Sequence, residues 1–364
     1  MKLLYITPRI SGAGGVERVL SVKTDYLVNQ GYKVSILITN PDKDEVIYTF
    51  NQQINFYTIA PKRNNYFFSY KKLLKKKISE VNPDIVIMCD NGLKSFLLPL
   101  FLNKKYKLVY ERHNTKHIID IESTKKTFLS RYINKLYYLY MDYCAKRFDK
   151  FIVLSYAAKK EWRGVNAAVI PNPLWIQNNK EKATLNNKIV IAVGRHTHQK
   201  GYDRMFAVWN KVIKSFPDWK LKIYGDFNEN CDLKKLAKAY KISNSIEFIP
   251  PAKNIIEAYT QASLLLMTSR HEGFGMVLIE AMACGLPCIA FDCPVGLSEI
   301  IKDGKNGFLV TDGDIESFIL KTELLLNSKD LREKVALNAQ YDIEKFHLNK
   351  IMPQWDFLFR ELID

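Results

Sequence analysis

The chain alternates short apolar segments with longer amphipathic ones, and this alternation runs through the sequence twice. Short apolar runs indicate strands buried on both faces, as in a parallel sheet. In the first half the predicted strands are Lys2–Thr7, Lys33–Thr39, Asn55–Ile59, Ile85–Cys89, Lys107–Glu111 and Phe151–Leu154. After Asn187 the pattern restarts, and the predicted strands there are Ile189–Val193, Leu221–Tyr224, Ile246–Ile249, Leu264–Met267 and Cys288–Phe291. Helical segments such as Val16–Gln30 and Asp203–Ser215 lie between them.

The repeated alternation predicts an α/β fold with two doubly wound, Rossmann-like domains. The proline-containing segment Ile170–Leu174, followed by the polar run Gln177–Asn187, is typical of a crossing between domains. We therefore predict an N-terminal domain of residues 1–170 and a C-terminal domain of residues 171–347. A last predicted helix, Leu348–Leu362, ends the chain.

Composition agrees with a folded protein that contains two cores. A chain of 364 residues is long for one core, and its 47% hydrophobic content argues against disorder. The six cysteines have neither a disulfide framework nor a zinc-site spacing, which favours reduced thiols in the cytoplasm. The opening segment Met1–Thr7 predicts a strand rather than a signal peptide, and the longest apolar run, Phe96–Leu102, is too short to span a membrane.

The net charge of +16 is concentrated in the first half of the chain. Residues 1–170 contain 29 lysines and arginines against 14 acidic residues, so +15 of the net charge lies there. Such asymmetry indicates an acidic partner for this half alone.

Two basic segments, Tyr66–Ile78 and Lys125–Tyr138, combine lysines with aromatic and aliphatic residues. Amphipathic helices of this kind suit an anionic membrane surface, and we expect reversible docking on the inner face of the membrane. The alternative is a pair of ordinary surface helices whose apolar faces pack inward. Nucleic acid would also match the charge, but no recognised nucleic-acid motif is present, and we expect no such partner.

The segment from Arg270 to Cys288 contains two carboxylates, Glu272 and Glu280, separated by a glycine loop and an apolar run. Glu272 follows a predicted strand, at the edge where open α/β sheets bind ligands. Glu280 interrupts apolar residues, where a charge is costly without a function. The simpler interpretation makes Glu272 a helix-dipole partner and Glu280 a solvated residue.

A helix is predicted to begin near Phe274 or Gly275 and to end at Gly285. The first amides of a helix, here around Gly275, Met276 and Val277, lack intrahelical partners and form a natural anion site. Gly273 and Gly275 let a ligand approach the backbone closely. Carboxylates that accept hydroxyl hydrogens, beside amides that bind phosphate, suit a polyol joined to a phosphate.

Residues 272–287 read E-G-F-G-M-V-L-I-E-A-M-A-C-G-L-P, which resembles the signature of the family 4 retaining glycosyltransferases. The resemblance implies the GT-B fold, in which two Rossmann-like domains face each other across a cleft. It implies a C-terminal domain that binds a nucleotide-sugar donor, and a final helix, residues 348–364, that packs back on the N-terminal domain. Glu280 would bind the ribose hydroxyls. Glu272 would bind the sugar hydroxyls, assisted by the amides of the donor-binding loop, which comprises Gly273, Phe274, Gly275, Met276 and Val277.

Gly194–Gly201 follows the first predicted strand of the second domain and carries Arg195 and Lys200. Two cations on such a loop either clamp a diphosphate or form a solvated basic loop. The segment resembles the family's G-R-x-x-x-x-K-G motif, which implies that Arg195 and Lys200 neutralise the leaving diphosphate. The intervening His196 and His198 are expected at the surface rather than on a metal.

Two segments of the first domain extend the resemblance. Gly14 and Gly15, followed by Glu17 and Arg18, resemble the G-G-x-E-R of bacterial members, whose glycine loop faces the donor diphosphate. Glu17 and Arg18 suit a structural role as well as a functional one. His113 follows a predicted strand, and the family often has a histidine here that contacts the donor sugar or stabilises charge at the anomeric carbon.

No metal is expected in the reaction. Asp42-Lys43-Asp44 and Asp312-Gly313-Asp314 look like the metal-binding D-x-D of another glycosyltransferase fold, but neither follows a buried strand in a plausible nucleotide site. Cations and helix amides are sufficient to stabilise a leaving diphosphate. We therefore expect a nucleotide diphosphate sugar as co-substrate and no other cofactor.

The predicted function is retaining transfer of a hexose or N-acetylhexosamine, from a UDP-sugar by preference, to a lipid-linked or polysaccharide acceptor in cell-surface glycan synthesis, such as capsule or lipopolysaccharide. A nicotinamide-dependent oxidoreductase would share the Rossmann pattern, but the third glycine of its fingerprint is replaced by Glu17. A nucleotide-sugar epimerase would share the fold, and the positive charge would also suit a non-catalytic protein that binds nucleotides or nucleic acid.

Overall fold

A computed structural model describes residues 1–41, 45–102, 104–122, 127–176, 181–226, 232–252, 254–294 and 296–364 of the chain. The predicted motif Asp42-Lys43-Asp44 and the start of the second basic segment, Lys125 and Lys126, lie outside these residues. The chain divides into two compact units, Met1–Pro173 with Leu348–Asp364, and Leu174–His347. The division falls inside the proline-containing segment.

The first unit contains one parallel sheet in the order β3-β2-β1-β4-β5-β6-β7 over its described residues. Most strands of this sheet are buried, as their continuous apolar runs indicate, whereas the edge strand Asn55–Thr58 is largely exposed. The strands are β1 Lys2–Thr7, β2 Lys33–Ile38, β3 Asn55–Thr58, β4 Ile85–Met88, β5 Lys107–Glu111, β6 Lys150–Val153 and β7 Ala167–Val169. The helices are α1 Gly15–Asn29, α2 Tyr66–Val81, α3 Leu98–Phe101, α4 Ile118–Glu122, α5 Phe128–Ala145 and α6 Tyr156–Glu161.

The second unit has the parallel order β10-β9-β8-β11-β12-β13. Its strands are β8 Ile189–Val193, β9 Lys220–Tyr224, β10 Ile246–Ile249, β11 Leu264–Met267, β12 Cys288–Asp292 and β13 Phe308–Thr311. Its helices are α7 Tyr202–Ser215, α8 Leu233–Ala239, α9 Ile255–Thr260, α10 Met276–Ala283, α11 Ile315–Asn327 and α12 Lys329–Asp342. Trp209, Phe206 and Phe318 lie at the centre of its core.

The last helix, α13 (Leu348–Ile363), belongs to the first unit although it follows the second along the chain. Apolar residues recur on one face of α13 at helical spacing, and this face enters the core of the first unit beside β1 and α1. The buried residues of this face are Ile351, Met352, Trp355, Leu358, Phe359 and Leu362.

The two Rossmann-like sheets confirm the predicted fold class, and every predicted strand is present, with ends that shift by at most one residue. The prediction missed two strands, the three-residue β7 and the four-residue β13, because such short segments carry little periodic signal. The described cysteines are buried and free of disulfides. Among the described residues, no helix is long and apolar enough to span a membrane.

Candidate functional site

The two predicted donor-binding loops of the second unit emerge side by side. β8 lies between β9 and β11, so the strand order reverses at β8. At such a switch point open α/β sheets leave a crevice for ligands at the carboxyl edge of the sheet. Gly194–Gly201 follows β8, and residues 268–275 follow β11. Because β8 and β11 are parallel neighbours, both loops leave the same edge of the sheet, which explains why two motifs far apart in sequence meet.

The meeting point of these loops is an ion pair between Lys200 and Glu272. Lys200 Nζ donates to Glu272 Oε1 at 2.8 Å, and the two side chains are 15% and 12% exposed. Burial raises the pKa of the Glu272 carboxyl, but Lys200, with help from Ser269 and His271, more than offsets this, so the pKa lies below its usual value. Glu272 is therefore an ionised carboxylate whose counter-charge is built into the site.

Further contacts fix one loop against the other. Arg270 makes a bidentate pair with Asp203, with N–O distances of 2.8 and 2.6 Å. Gln199 donates to the His271 carbonyl at 3.0 Å. A Cβ atom on Gly194 would lie 2.8 Å from Cε of Lys200, so the glycine makes room for the lysine stem. The site is therefore held by the scaffold before any ligand is bound.

Helix α10 spans Met276–Ala283, so it begins one or two residues after the predicted start near Phe274 or Gly275, and it ends two residues before Gly285. It begins there because Gly275 adopts a left-handed conformation with φ of 92°. A side chain at this position is also disfavoured by the available space, since a Cβ atom at Gly275 would lie 2.8 Å from Cδ2 of Leu297. Phe274 is buried and packs edge-on against Phe346, with ring centroids 5.3 Å apart. Met276, Val277 and the neighbouring Gly273 are half-buried. The helix start is therefore anchored by Phe274 and remains partly accessible at these three residues.

Glu280 is buried and hydrogen-bonded, unlike a solvated helix residue. Its Oε1 accepts from Trp175 Nε1 at 2.7 Å, and its Oε2 accepts from the Tyr259 hydroxyl at 3.1 Å. Burial, followed by the charge of Glu280, raises the pKa of Tyr259 well above its usual value, so the hydroxyl remains a donor. Ribose binding by Glu280 stays a prediction.

Arg195 and the two histidines differ in exposure. Arg195 is exposed on the loop after β8. His198 is exposed as expected, but the surface prediction for His196 is wrong, because His196 is only 1% exposed. The backbone amide of His196 donates to the Asp226 carbonyl. The ring points inward and makes edge contacts with Tyr202 and Phe248. Burial lowers the pKa of His196.

In the first unit, Gly14 and Gly15 lie in the loop after β1 and at the start of α1. Glu17 folds back over this loop, so that a Cβ on Gly14 would lie 2.0 Å from Glu17 Oε2. Glu17 also pairs with Arg9 at 3.3 Å, and the Arg18 guanidinium lies 4.1 Å from the ring centroid of Tyr48. Both charged residues therefore have structural contacts.

His113 follows β5 and is buried within the first unit. Its Nε2 lies 3.3 Å from Glu111 Oε1, and its backbone amide donates to Asn91 Oδ1 at 3.1 Å. Glu111 in turn accepts from Lys23 Nζ at 2.6 Å. The sequence singled out His113, but it did not indicate that Lys23, on α1, reaches the same carboxylate.

The second acidic motif, Asp312-Gly313-Asp314, has local partners. Asp312 pairs with Arg204. Asp314 caps α11, because its side chain accepts from the Ser317 amide at 3.0 Å. Both aspartates therefore act in the structure of the β13–α11 loop.

Comparisons with known proteins agree with this geometry. Residues 13–174 match the family model Glycosyltransferase Family 4, and residues 175–342 match Glycosyl transferases group 1. An uncharacterized glycosyltransferase of Haemophilus influenzae is 30% identical over 363 residues, which cover 97% of this chain and 98% of that protein. The chain belongs to glycosyltransferase family 4.

Two further known proteins are similar to this glycosyltransferase along nearly its whole length. The amylovoran biosynthesis glycosyltransferase AmsD of Erwinia amylovora is 30% identical over 369 residues, which cover 98% of each protein. The solved structure of sucrose-phosphate synthase from Thermosynechococcus elongatus superimposes with a TM-score of 0.83 at 17% identity, over 100% of this chain and 99% of that chain. The superposition confirms the GT-B fold.

Of its predicted donor-site residues, the glycosyltransferase brings Lys200 and the loop that carries Glu272 together in the second unit, whereas Glu280 contacts Trp175 and Tyr259, and Gly14 and Gly15 belong to the first unit. Lys200 and Glu272 are in direct contact, and the start of α10 lies on the same loop as Glu272. Sequence reasoning missed Trp175 and Tyr259, the partners of Glu280. The only local signal was their type, since an indole and a phenol are donors that can satisfy a buried carboxylate.

Proposed function

We propose that this glycosyltransferase transfers a hexose or N-acetylhexosamine from a nucleotide diphosphate sugar, UDP-linked by preference, with retention of anomeric configuration. The observation that carries the proposal is the buried Lys200–Glu272 pair beside the glycine-started helix α10. It combines a fixed carboxylate for sugar hydroxyls with a cation and free amides for phosphate.

Lys200 is suited to serve two anions at once. An ammonium group has three hydrogens, and the contact with Glu272 uses one of them. The other two are available for the diphosphate, beside the exposed guanidinium of Arg195. As the sugar–phosphate bond breaks, negative charge grows on the phosphate, and preorganised cations stabilise that charge more than the ground state.

Glu272 contributes binding and orientation rather than proton transfer. Its low pKa suits a hydrogen-bond acceptor at neutral pH and not a general acid. In the retaining mechanism that the family resemblance implies, the leaving phosphate accepts the proton of the acceptor hydroxyl on the same face of the sugar. Such a reaction needs no separate protein base and, with Lys200 and Arg195 beside the phosphate, no metal.

The acceptor that we propose is a lipid-linked or polysaccharide glycan of the cell surface. AmsD, which this chain matches along nearly its whole length, is described as an amylovoran biosynthesis enzyme. The high positive charge of residues 1–170 suits an acceptor anchored at an anionic membrane.

We further propose that α5 binds the cytoplasmic membrane surface reversibly. An ordinary surface helix buries its apolar face, whereas Phe128 is 89% exposed and Leu129 is 66% exposed. Arg131 and Lys135 are exposed on the same helix. The exposed apolar residues of α5 are Phe128, Leu129, Tyr132, Ile133, Leu136, Tyr137, Leu139 and Tyr143. Apolar insertion together with cationic contacts is the way in which interfacial helices bind anionic lipid.

A panel of nucleotide sugars, read out by thermal shift, tests the donor proposal. A donor that binds only the native state stabilises it by mass action and therefore raises the midpoint of thermal unfolding. At a donor concentration of a hundred times Kd, the stabilisation is about 2.7 kcal/mol. We expect UDP-sugars to stabilise the protein, and we expect Lys200→Ala to abolish the shift. Stabilisation by a nicotinamide dinucleotide, with no response to any nucleotide sugar, would favour the oxidoreductase instead.

Co-sedimentation with vesicles tests the membrane proposal. We expect binding to vesicles that contain anionic lipid at low salt, and weaker binding of Phe128→Ser/Leu129→Ser. Leu337→Ser is the matched control, because Leu337 is 69% exposed on α12 of the second unit. Equal binding of all three proteins, or none by the unsubstituted protein, would contradict the proposal.

A further inference from the structure

A buried charged cluster lies behind His113 at the carboxyl edge of the first unit's sheet. Its centre is the Glu111 carboxylate, which accepts from Lys23 Nζ at 2.6 Å and from Cys89 Sγ at 3.3 Å, and which lies 3.3 Å from His113 Nε2. Lys23 and Glu111 side chains are 1% and 2% exposed. A buried ion pair is weak as a source of stability, because desolvation opposes the attraction.

The cluster also includes Trp355 of the last helix, α13. The Lys23 ammonium lies 3.5 Å from the ring centroid of Trp355, which is fully buried on α13. A cation over the face of an indole ring is attracted by the negative charge of that face, and the attraction is stronger where water is excluded. The last helix therefore contributes Trp355 to the surroundings of Lys23.

The protonation of the cluster follows from its surroundings. Burial raises the pKa of Glu111, but Lys23 and His113 more than offset it, so that the pKa lies well below its usual value. Burial, followed by the charge of Glu111, raises the pKa of Cys89 well above its usual value. Glu111 is thus an acceptor, and Cys89 remains a thiol that donates to it.

An ionised Glu111 determines which ring nitrogen of His113 carries a hydrogen. A carboxylate accepts hydrogen bonds only, so the ring nitrogen beside it, Nε2, carries a hydrogen. The other nitrogen, Nδ1, is buried and has no hydrogen-bond partner among the described residues. A buried polar atom without a partner is unfavourable, and a substrate hydroxyl at Nδ1 would satisfy it.

We propose that Glu111 is a positioning residue that orients the His113 ring so that Nδ1 meets a substrate hydroxyl, and that Lys23 and Trp355 hold Glu111 for this purpose. The proposal rests on the proposed function and on the contact between His113 and the donor sugar that the family resemblance implies. Lys23 supplies the charge that keeps Glu111 ionised, and α13 makes the chain end part of the active-site support.

The cluster is tested by removing both charges together, in Lys23→Met/Glu111→Gln, because a single substitution would leave one buried charge unpaired. We expect turnover of the donor to fall by roughly 10–100-fold, the range for residues that orient a reactive group, with donor Kd changed by less than about threefold. The matched control is Lys150→Met/Glu361→Gln, which removes an exposed ion pair between β6 and α13. Its turnover should stay unchanged.

A spectroscopic measurement on the unsubstituted protein keeps the test independent of folding defects. With only six histidines, ¹⁵N labelling resolves each imidazole, and His113→Gln assigns the signal. We expect a hydrogen on Nε2 of His113, and a changed signal in the double variant. A ring with hydrogen on Nδ1 alone would overturn the proposal, and so would a stoichiometric zinc ion, since Cys89, Glu111 and His113 also lie close enough to ligate a metal.

The failures of the two proposals are distinguishable. If His113→Ala keeps full turnover, the contact between His113 and substrate is wrong, and the proposed function loses that residue. If His113→Ala is inactive while Lys23→Met/Glu111→Gln turns over normally, the role of His113 stands and the positioning by Glu111 is refuted.

Discussion

Replacing Lys200 by methionine should destabilise the second unit as well as abolish transfer. At 2.8 Å, and with an effective dielectric of about 20, the attraction between Lys200 and Glu272 is about 6 kcal/mol before desolvation is subtracted. Methionine keeps the apolar stem that packs on Gly194, so the variant isolates the charge. Breaking a buried pair by removing one partner costs about 3–5 kcal/mol. Because both side chains retain some exposure, we expect about 3 kcal/mol.

The pH dependence of this loss identifies its cause. In the unsubstituted protein the folded pKa of Glu272 is lowered, so its contribution is present above the unfolded pKa and is lost as pH falls through the folded one. In Lys200→Met the main lowering influence is gone while burial still raises the pKa. The destabilisation should therefore be largest near neutral pH and should shrink toward about pH 4.5, where the carboxyl becomes protonated.

Urea unfolding followed by tryptophan fluorescence measures the loss, since Trp175, Trp209 and Trp219 all lie in the second unit. The control is Lys222→Met, which removes a more exposed pair with Glu247 and should change the free energy of unfolding by less than about 1 kcal/mol.

Lys200→Met/Glu272→Gln should recover most of the stability but not the activity, which we expect to fall by about 10²–10³-fold without the cation. Equal stability of Lys200→Met and the unsubstituted protein at neutral pH, or near-full transfer by Lys200→Met, would refute the reasoning.

Three further substitutions probe the second unit. Gly275→Ala should weaken donor binding at least tenfold in a calorimetric titration and should lower the melting temperature. Alanine at φ of 92° is strained, and its Cβ would lie 2.8 Å from Leu297. Unchanged affinity would exclude the helix start from the site. Trp175→Phe removes the 2.7 Å donor to Glu280, and we expect donor Kd to rise while turnover at saturation is retained; a drop in turnover alone would count against a binding role. Arg332→Met should lower the free energy of unfolding by about 2–4 kcal/mol in urea, since its buried guanidinium donates to three backbone carbonyls; a loss below about 1 kcal/mol would contradict this account.

Features determined by local pattern could be predicted from the sequence. Apolar runs gave the bounds of β1, β5, β8 and β11 as the structure has them, because a strand buried on both faces leaves a continuous apolar segment. The start of α10 was equally local, since the glycine pattern around Gly275 permits a left-handed turn there and little else. The spacing of Arg195 and Lys200 on one loop was equally readable from the sequence, and so was the placing of Glu272 before helix α10 and Glu280 within it.

Partnerships between distant residues were decided by the tertiary structure. Trp175 and Glu280 are 105 positions apart, and Lys23 and Glu111 are 88 apart. Nothing in the periodicity of either segment indicates these contacts, which depend on strand order and on where each helix crosses the sheet. His196 is the clearest failure, because a histidine between polar residues suggests a surface loop, and only the turn after β8 directs its ring into the core.

The sequence by itself therefore determined the two sheets, the loops at their carboxyl edges and the types of side chain that those loops carry. The tertiary structure decided which of these side chains are charged partners. The physical reason is that burial and proximity set the ionisation of Glu272 and Glu111. Both arise only in the folded chain, where two loops after neighbouring strands meet at Glu272 and Lys23 of helix α1 reaches Glu111 of β5.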